Sequence, residues 1–577
     1  MIRTAKAVAD EVPAARQSSI GALARLNSAN SERDTHRLTK KFQLTIPLEL
    51  SPVQVGDLTL GFLRMSSWAS FVQDNNLWHH LTGLEAPDHD RCAAIWSTFW
   101  TRFKGICPEH EIFKRSDPEF CFSRCCALLL HGDEGVSAKK SAILVVSCHS
   151  VLGHGISTAT ERKEAAKYEA MRLNYSSPTW TTRFLIGVMP KHVYSNDDGE
   201  ETTCFQDFLR GITQDLKGLF EDGIVNKSGR RWLYCVINLM GDWPWLVKSG
   251  TLGRSFYNTA KRASSKAAPK GICHMCMADM DGYPWEDWQS ATPKWVASIN
   301  KKSPFLGTPA LLDLPKDPTD LPALWAWDLF HTWHLGCGRT FLSSCIAVLA
   351  SSALFEGSID TRLSTVSDLF ENWCKENHCL PQLRRFTKAK LAWMSNADYP
   401  HGTWGKGNDT TIIMKWFLEQ CSKFGDKIQN SGDDLLPLAV EAAAAANRFL
   451  SGVYRQEVWI AARDASRLAN FGLLFLSKHG QCVRQAFRSN RHLFLQMPNL
   501  HRFHHTVLAL KWQGERSKYA LNPLALASQA DEDYIGRPSR ISRHVHARTV
   551  VRRALQRGLE AAHDKYVEQG LLIPDRA

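Results

Sequence analysis

Four apolar runs and one helical stretch, met in a fixed order, limit what this chain can fold into more than any other feature. Cys125-Cys126-Ala127-Leu128-Leu129-Leu130 is short and uninterrupted, and it leads into the polar His131-Gly132-Asp133-Glu134-Gly135. Ser141 to Ser147 and Arg183 to Met189 repeat the pattern. Trp232 to Leu239 is a β-branched and aromatic run that closes on Met240-Gly241-Asp242. Apolar runs of this length bounded by turn residues predict buried strands. Before the last of them, Phe205, Phe208, Leu209, Ile212, Leu216 and Leu219 recur at helical spacing, which predicts a helix from about Cys204 to Gly223.

Three strands, a helix and a fourth strand form the opening order of the ribonuclease-H-like fold, in which the first and fourth strands lie together at the sheet centre. The expectation is therefore an α/β core with a mixed five-stranded sheet and flanking helices, embedded in a mainly α-helical chain. A chain of 577 residues exceeds one core. Residues 1–40 are polar and aperiodic and read as disordered. Residues 41–120, with Trp68, Trp78, Trp96 and Trp100, read as a helical N-terminal region. The α/β unit spans 121–360, with an insertion at about 251–326. A helical domain follows over 361–530, and a basic helical tail over 531–577.

Asp133 and Asp242 each follow a predicted strand, where a carboxylate reaches a cleft. Taken alone, each aspartate reads equally as a turn or helix-cap residue. As a pair in this order they suit two-metal phosphoryl transfer, which needs at least two such acids and a third to hold two Mg²⁺ (or Mn²⁺) ions about 3.5–4 Å apart. Cys273-His-Met-Cys276 has metal-knuckle spacing and no neighbouring βαβ pattern of a redox protein. His331 and His334 advance by three along a predicted helix from Asp328 and would complete a Cys₂His₂ zinc site. The competing reading makes them hydrogen-bonded core or surface histidines.

The order Asp, Gly-Asp-x-Pro, Cys-x-x-Cys, Asp-x-x-His resembles the catalytic domains of CACTA-type DDE transposases, over roughly Cys121 to Asp360. The resemblance implies that Asp133 and Asp242 are the first two catalytic acids. It implies Glu356, at the end of a long helical pattern, as the third, with Asp328 as its rival. It also implies structural zinc, DNA partners (transposon ends and target), a homo-oligomer and a nuclear location. The function expected is Mg-dependent strand cleavage and strand transfer; the alternative is a decayed or domesticated relative that binds DNA without cutting. A 3′–5′ exonuclease would want two acids one residue apart on the first strand, whereas Asp133 and Glu134 are adjacent and point to opposite faces. An unrelated helical interaction protein would use these same acids merely as turns.

The charge balance agrees with a polyanionic partner: net charge is +12 and the pI about 9.0. Lys261, Arg262, Lys266 and Lys270 lie in one link beside the expected site, and Arg537, Arg540, Arg543, Arg548, Arg552, Arg553 and Arg557 follow one another without an intervening acid. Both clusters suit phosphate contacts, and both read equally as solvated surface. No apolar stretch reaches the roughly 18 residues of a membrane span. Sixteen cysteines in a chain without a secretory signal fit reduced thiols.

Overall fold

The structure, a computed structural model, describes residues 2–573 apart from 28–30, 138–140, 157–170, 197–201, 260–269, 289, 291 and 431–432. A hairpin of β1 (Ser51–Val55) and β2 (Leu58–Phe62) precedes the central sheet. That sheet contains β3 (Cys125–Val136), β4 (Ala142–Ser150), β5 (Phe184–Pro190), β6 (Ile224–Val225) and β7 (Arg231–Met240), in the order β5-β4-β3-β7-β6. A short ribbon of β8 (Trp459–Ala461) and β9 (Tyr519–Leu521) lies in the helical part.

All four predicted strands and the helix Cys204–Glu221 are present. β3 runs parallel to β7, from Cys125 beside Leu233 to His131 beside Met240, and β4 is antiparallel to both β3 and β5. The sheet is mixed, and its two central strands are buried on both faces, which is why they read as unbroken apolar runs. β6 is an antiparallel hairpin partner that comes before β7. After β7 the chain rejoins the sheet by one parallel bridge, Trp325 beside Leu239, where the Ala326 N–H donates to the Leu239 carbonyl at 3.0 Å.

β3 is longer than the sequence suggests. His131 to Val136 continues the strand instead of turning, and Asp133 pairs with Val145. Its glycines serve close packing. A Cβ on Gly132 would sit 2.6 Å from the Trp245 ring, and one on Gly135 would collide with the Ser539 hydroxyl of helix Gln529–Ser542. Gly135→Val should therefore destabilise the protein by about 1–3 kcal/mol, read as a lowered melting temperature. An unchanged melting temperature would show that this helix does not need so close an approach.

The helices beyond residue 337 form two groups. Gly338–Ser351, Ile359–Glu376, Gly407–Phe424, Leu435–Tyr454, Ala462–Arg488 and Pro498–Arg516 build a helical unit. The chain then returns to the sheet. Gln529–Ser542 packs on β3 and β4, and Val550–Glu568 packs on β5 and β2. The segment expected as a basic tail thus covers the core, burying Tyr534, Ile535, Leu555 and Leu559. The N-terminus, expected to be disordered, carries helices Ile2–Glu11 and Ser31–Lys41. The second is tied to Glu560 of the C-terminal helix by His36 and by the Thr39 hydroxyl at 2.7 Å, contacts that no local periodicity announces. No helix among the described residues is long and apolar enough to cross a membrane.

Several histidines are buried in neutral form. Burial pushes His80 and His149 down to about 3, and His334 and His479 down to about 4. The unfolded chain binds these protons near 6.5, so stability is full above that pH and falls as the pH drops below it. Each such histidine costs roughly 1.4 kcal/mol per pH unit. Melting temperature should fall steeply between pH 6.5 and 4; a flat profile there would contradict their burial.

Candidate active site and metal centre

Asp133 and Asp242 come together because β3 and β7 are adjacent and parallel. Each follows the paired residues His131 and Met240 by two positions. Asp133 is buried within β3, on the same strand face as Gly135. Asp242 caps helix Trp243–Ser249, accepting the Trp245 N–H at 2.8 Å. The adjacent Glu134 turns away and accepts from Lys248 Nζ at 2.6 Å.

The third carboxylate of this cluster is Glu532. It shares one face of helix Gln529–Ser542 with Ile535 and Ser539, the face laid against Gly135. Burial raises the proton affinity of Asp133 well above the carboxylate range, and the charges of Glu532 and Asp242 add to this. Burial likewise raises Asp242. Glu532 is pushed up to about 7 by burial and by Asp328, Asp242 and Asp531, against a hydrogen bond shared with Asp133. Glu532 is half-buried, but its Oε1 is enclosed and accepts no hydrogen bond; His331 Nε2 lies 3.5 Å from it.

Asp328 and His331 support this cluster. Asp328 accepts from the Phe330 N–H at 2.7 Å, from the Ser528 N–H at 3.1 Å and hydroxyl at 2.5 Å, and from His331 Nδ1 at 2.6 Å. Burial opposes its charge, yet the bonds to His331 and Ser528 prevail and hold it below the usual range. Burial also opposes the His331 imidazolium, but Asp328, Asp242 and Asp133 outweigh it and raise its proton affinity. Ser528 immediately precedes the Glu532 helix, so Asp328 fixes where that helix starts. With its oxygens engaged by protein donors, Asp328 is a positioning group. Asp328→Asn should lower the His331 proton affinity, seen by NMR as a titration midpoint moved to lower pH. A titration at the wild-type pH would refute the pairing.

Glu356, expected as the third acid, lies exposed in the loop after helix Gly338–Ser351 and takes no part in the cluster. The intervening helical unit carries the chain away and returns it only at Gln529.

Cys273 and Cys276 do belong to a metal-type cluster, but with His501 and His505. All four donor atoms are buried and lie within 4.8 Å of one another. Cys276 Sγ is 3.3 Å from His501 Nε2 and 3.4 Å from His505 Nε2, and Cys273 Sγ is 3.4 Å from His505 Nε2. A tetrahedral zinc with bonds near 2.3 Å to sulfur and 2.0–2.1 Å to nitrogen has S···N edges of about 3.5 Å. The cluster can thus hold a metal such as zinc. Arg254 donates to the Cys273 carbonyl at 2.7 Å and the His274 carbonyl at 2.8 Å, shaping the knuckle, and Trp295 packs on both histidines.

His331 and His334 are therefore not its ligands. His331 is held by Asp328, and His334 Nε2 lies 3.0 Å from the Tyr454 hydroxyl. The true pair, His501-x-x-x-His505, has the i,i+4 spacing that puts both rings on one helix face, a pattern readable in the sequence.

Of the basic residues, Arg540, Arg543, Arg548 and Arg552 are exposed around the junction of the last two helices, and Lys270 is exposed. Arg553 is half-buried and donates to Gln556 at 2.7 Å, and Arg537 pairs with Asp533. Lys261, Arg262 and Lys266 lie outside the described residues. No family model matches the chain, and no curated protein does.

Proposed function

We propose that this chain is a DDE-type polynucleotidyl transferase with a ribonuclease-H-like core, cutting and joining DNA strands at Asp133, Asp242 and Glu532. One observation carries the reading: three carboxylates from distant parts of the chain meet, Asp133 within β3, Asp242 just past the adjacent parallel β7 and Glu532 on the helix above, with proton affinities raised by burial and mutual repulsion. Such a cluster is costly unless cations compensate it. The sheet order, with β3 and β7 central and β4 antiparallel, supports the ribonuclease-H-like assignment.

The enclosed Glu532 oxygen, which accepts no hydrogen bond, and the gathered acids fit Mg²⁺ or Mn²⁺. When bound, two such ions supply an activated attacking oxygen and charge stabilisation for the leaving one. Asp133 and Asp242 would hold them from the sheet and Glu532 from the helix above. His331 orients Glu532, and Asp328 orients His331. The Cys/His cluster is structural, joining the segment after the second acid to helix Pro498–Arg516. The exposed arginines at the C-terminal junction suit the DNA backbone.

The test is cleavage of supercoiled and linear DNA by the full chain with Mg²⁺ or Mn²⁺, beside Asp133→Ala and Asp242→Ala. Cleavage by the wild type that both substitutions remove supports the reading. DNA binding and zinc content without any cleavage would replace it with that of a DNA-binding relative that does not cut.

A further inference from the structure

Arg502 sits between the two clusters and belongs to neither. Its neighbour His501, and His505 one turn on, face the cysteines, while its guanidinium lies over Trp243, Phe256 and Trp327 at 4.0, 4.2 and 5.0 Å. Trp243 follows Asp242 in the chain and Trp327 precedes Asp328, so this aromatic box is built directly onto two residues of the acid site. Arg502 is only 5% exposed, and neither Nε nor Nη2 has a hydrogen-bond partner among the described residues.

This arrangement leaves something unsatisfied. A guanidinium presents its donors in a planar fork, and a buried donor without an acceptor is costly. Aromatic faces attract the cation but do not accept those in-plane N–H groups. The negative groups near it are the Cys273 thiolate, Asp328 and Asp242, with the protonated Tyr257 phenol beside them. A bound zinc cancels the thiolates, since two thiolates against one divalent ion leave no net charge. Asp328 is engaged by its own donors, and Asp242 faces the acid cluster. The fork thus lacks a bidentate anion, the role a phosphodiester fills. Beside it, Tyr257 lies against Phe256 at 4.3 Å yet is 60% exposed, an aromatic face open to solvent at the edge of the same box.

We propose that Arg502 and Tyr257 form a strand-anchoring subsite next to the carboxylates, the guanidinium taking a DNA phosphodiester and the phenol ring stacking on a base. This rests on the phosphoryl-transfer reading above. The subsite would seat the strand beside the acids, and its link to His501 and His505 would make the metal cluster its mechanical support.

The experiment is fluorescence anisotropy of a short fluorescein-labelled single-stranded DNA with the full chain in Ca²⁺, so that binding is read without chemistry. Arg502→Gln should bind at least about tenfold more weakly. Tyr257→Ala, at an exposed position, should bind about fivefold more weakly. Zinc content and melting temperature should stay at wild-type values in both. Wild-type affinity in both variants overturns the subsite. If Arg502→Gln does not fold, photo-crosslinking of a 5-iodouracil oligonucleotide to the wild type decides: adduct at Tyr257 supports the subsite and its absence overturns it. Metal-dependent cleavage with an unchanged KM in Arg502→Gln would sink the subsite and leave the enzyme reading standing. Weakened binding in that variant, with no cleavage by the wild type, would keep the subsite and overturn the enzyme reading.

Discussion

Glu532→Ala is expected to lower metal-dependent DNA cleavage on the order of a thousandfold, to the level of Asp133→Ala and Asp242→Ala, while Glu356→Ala stays within about twofold of wild type. The contrast follows from position alone. Glu532 faces Asp133 and Asp242 from the helix that crosses β3, whereas Glu356 is exposed on a loop. The same residue makes a prediction without catalysis. Its carboxyl is raised to about 7 from an ordinary value near 4.5. A raised carboxyl contributes stability below about pH 4.5 and loses it as pH rises through about 7. Metal-free protein at pH 8 therefore carries a penalty from this group of about 1–3 kcal/mol, allowing for its partial exposure. Glu532→Gln should raise the melting temperature of metal-free protein at pH 8 and blunt the rise that Mg²⁺ gives the wild type. Cleavage surviving in Glu532→Ala, or lost in Glu356→Ala, would remove Glu532 from the triad.

The sheet was legible because β3 and β7 are buried on both faces, and burial on both sides writes an unbroken apolar run. The end of β3 was not, because glycine placed for close packing reads the same as glycine placed for a turn. Gly132 and Gly135 make room for Trp245 and Ser539, and nothing local distinguishes that from a reversal of the chain. That Asp133 and Asp242 come together was legible because each lies next to a strong strand pattern. The approach of Glu532 was not legible, because a helical unit of some 180 residues lies between it and Asp242, and Glu356 is closer in sequence. The histidines of the Cys/His cluster were hidden in the same way. Cys273 and Cys276 announce a metal site, but His331 and His334 are merely closer in sequence than His501 and His505. The arginines of the C-terminal segment stand out as charge, while the apolar face beneath them, Tyr534, Ile535, Leu555 and Leu559, is spread over two helices and shows no unbroken run.

Replacing His501 and His505 together by alanine should abolish binding of one zinc per chain and destabilise the protein by several kcal/mol, with a fall of melting temperature of roughly 10 °C or more. His331→Ala and His334→Ala should keep full zinc. The size of the effect comes from what the cluster joins. Cys273 and Cys276 lie in a segment with little regular structure between β7 and Trp325, and the histidines sit near the start of helix Pro498–Arg516, more than two hundred residues later. A metal that bridges such distant parts constrains the unfolded chain strongly and, without it, leaves two thiols and two imidazoles buried among Trp295 and Arg254. Chelation should therefore loosen helix Pro498–Arg516 before it melts the sheet, which hydrogen exchange can resolve: protection lost first around Leu500 to Leu510, with β3 and β7 still slow. Because Arg502 rides on that helix over Trp243, the same treatment should weaken DNA binding in Ca²⁺ before global unfolding. Full zinc content in the double-histidine variant would show that the four side chains meet without serving a metal.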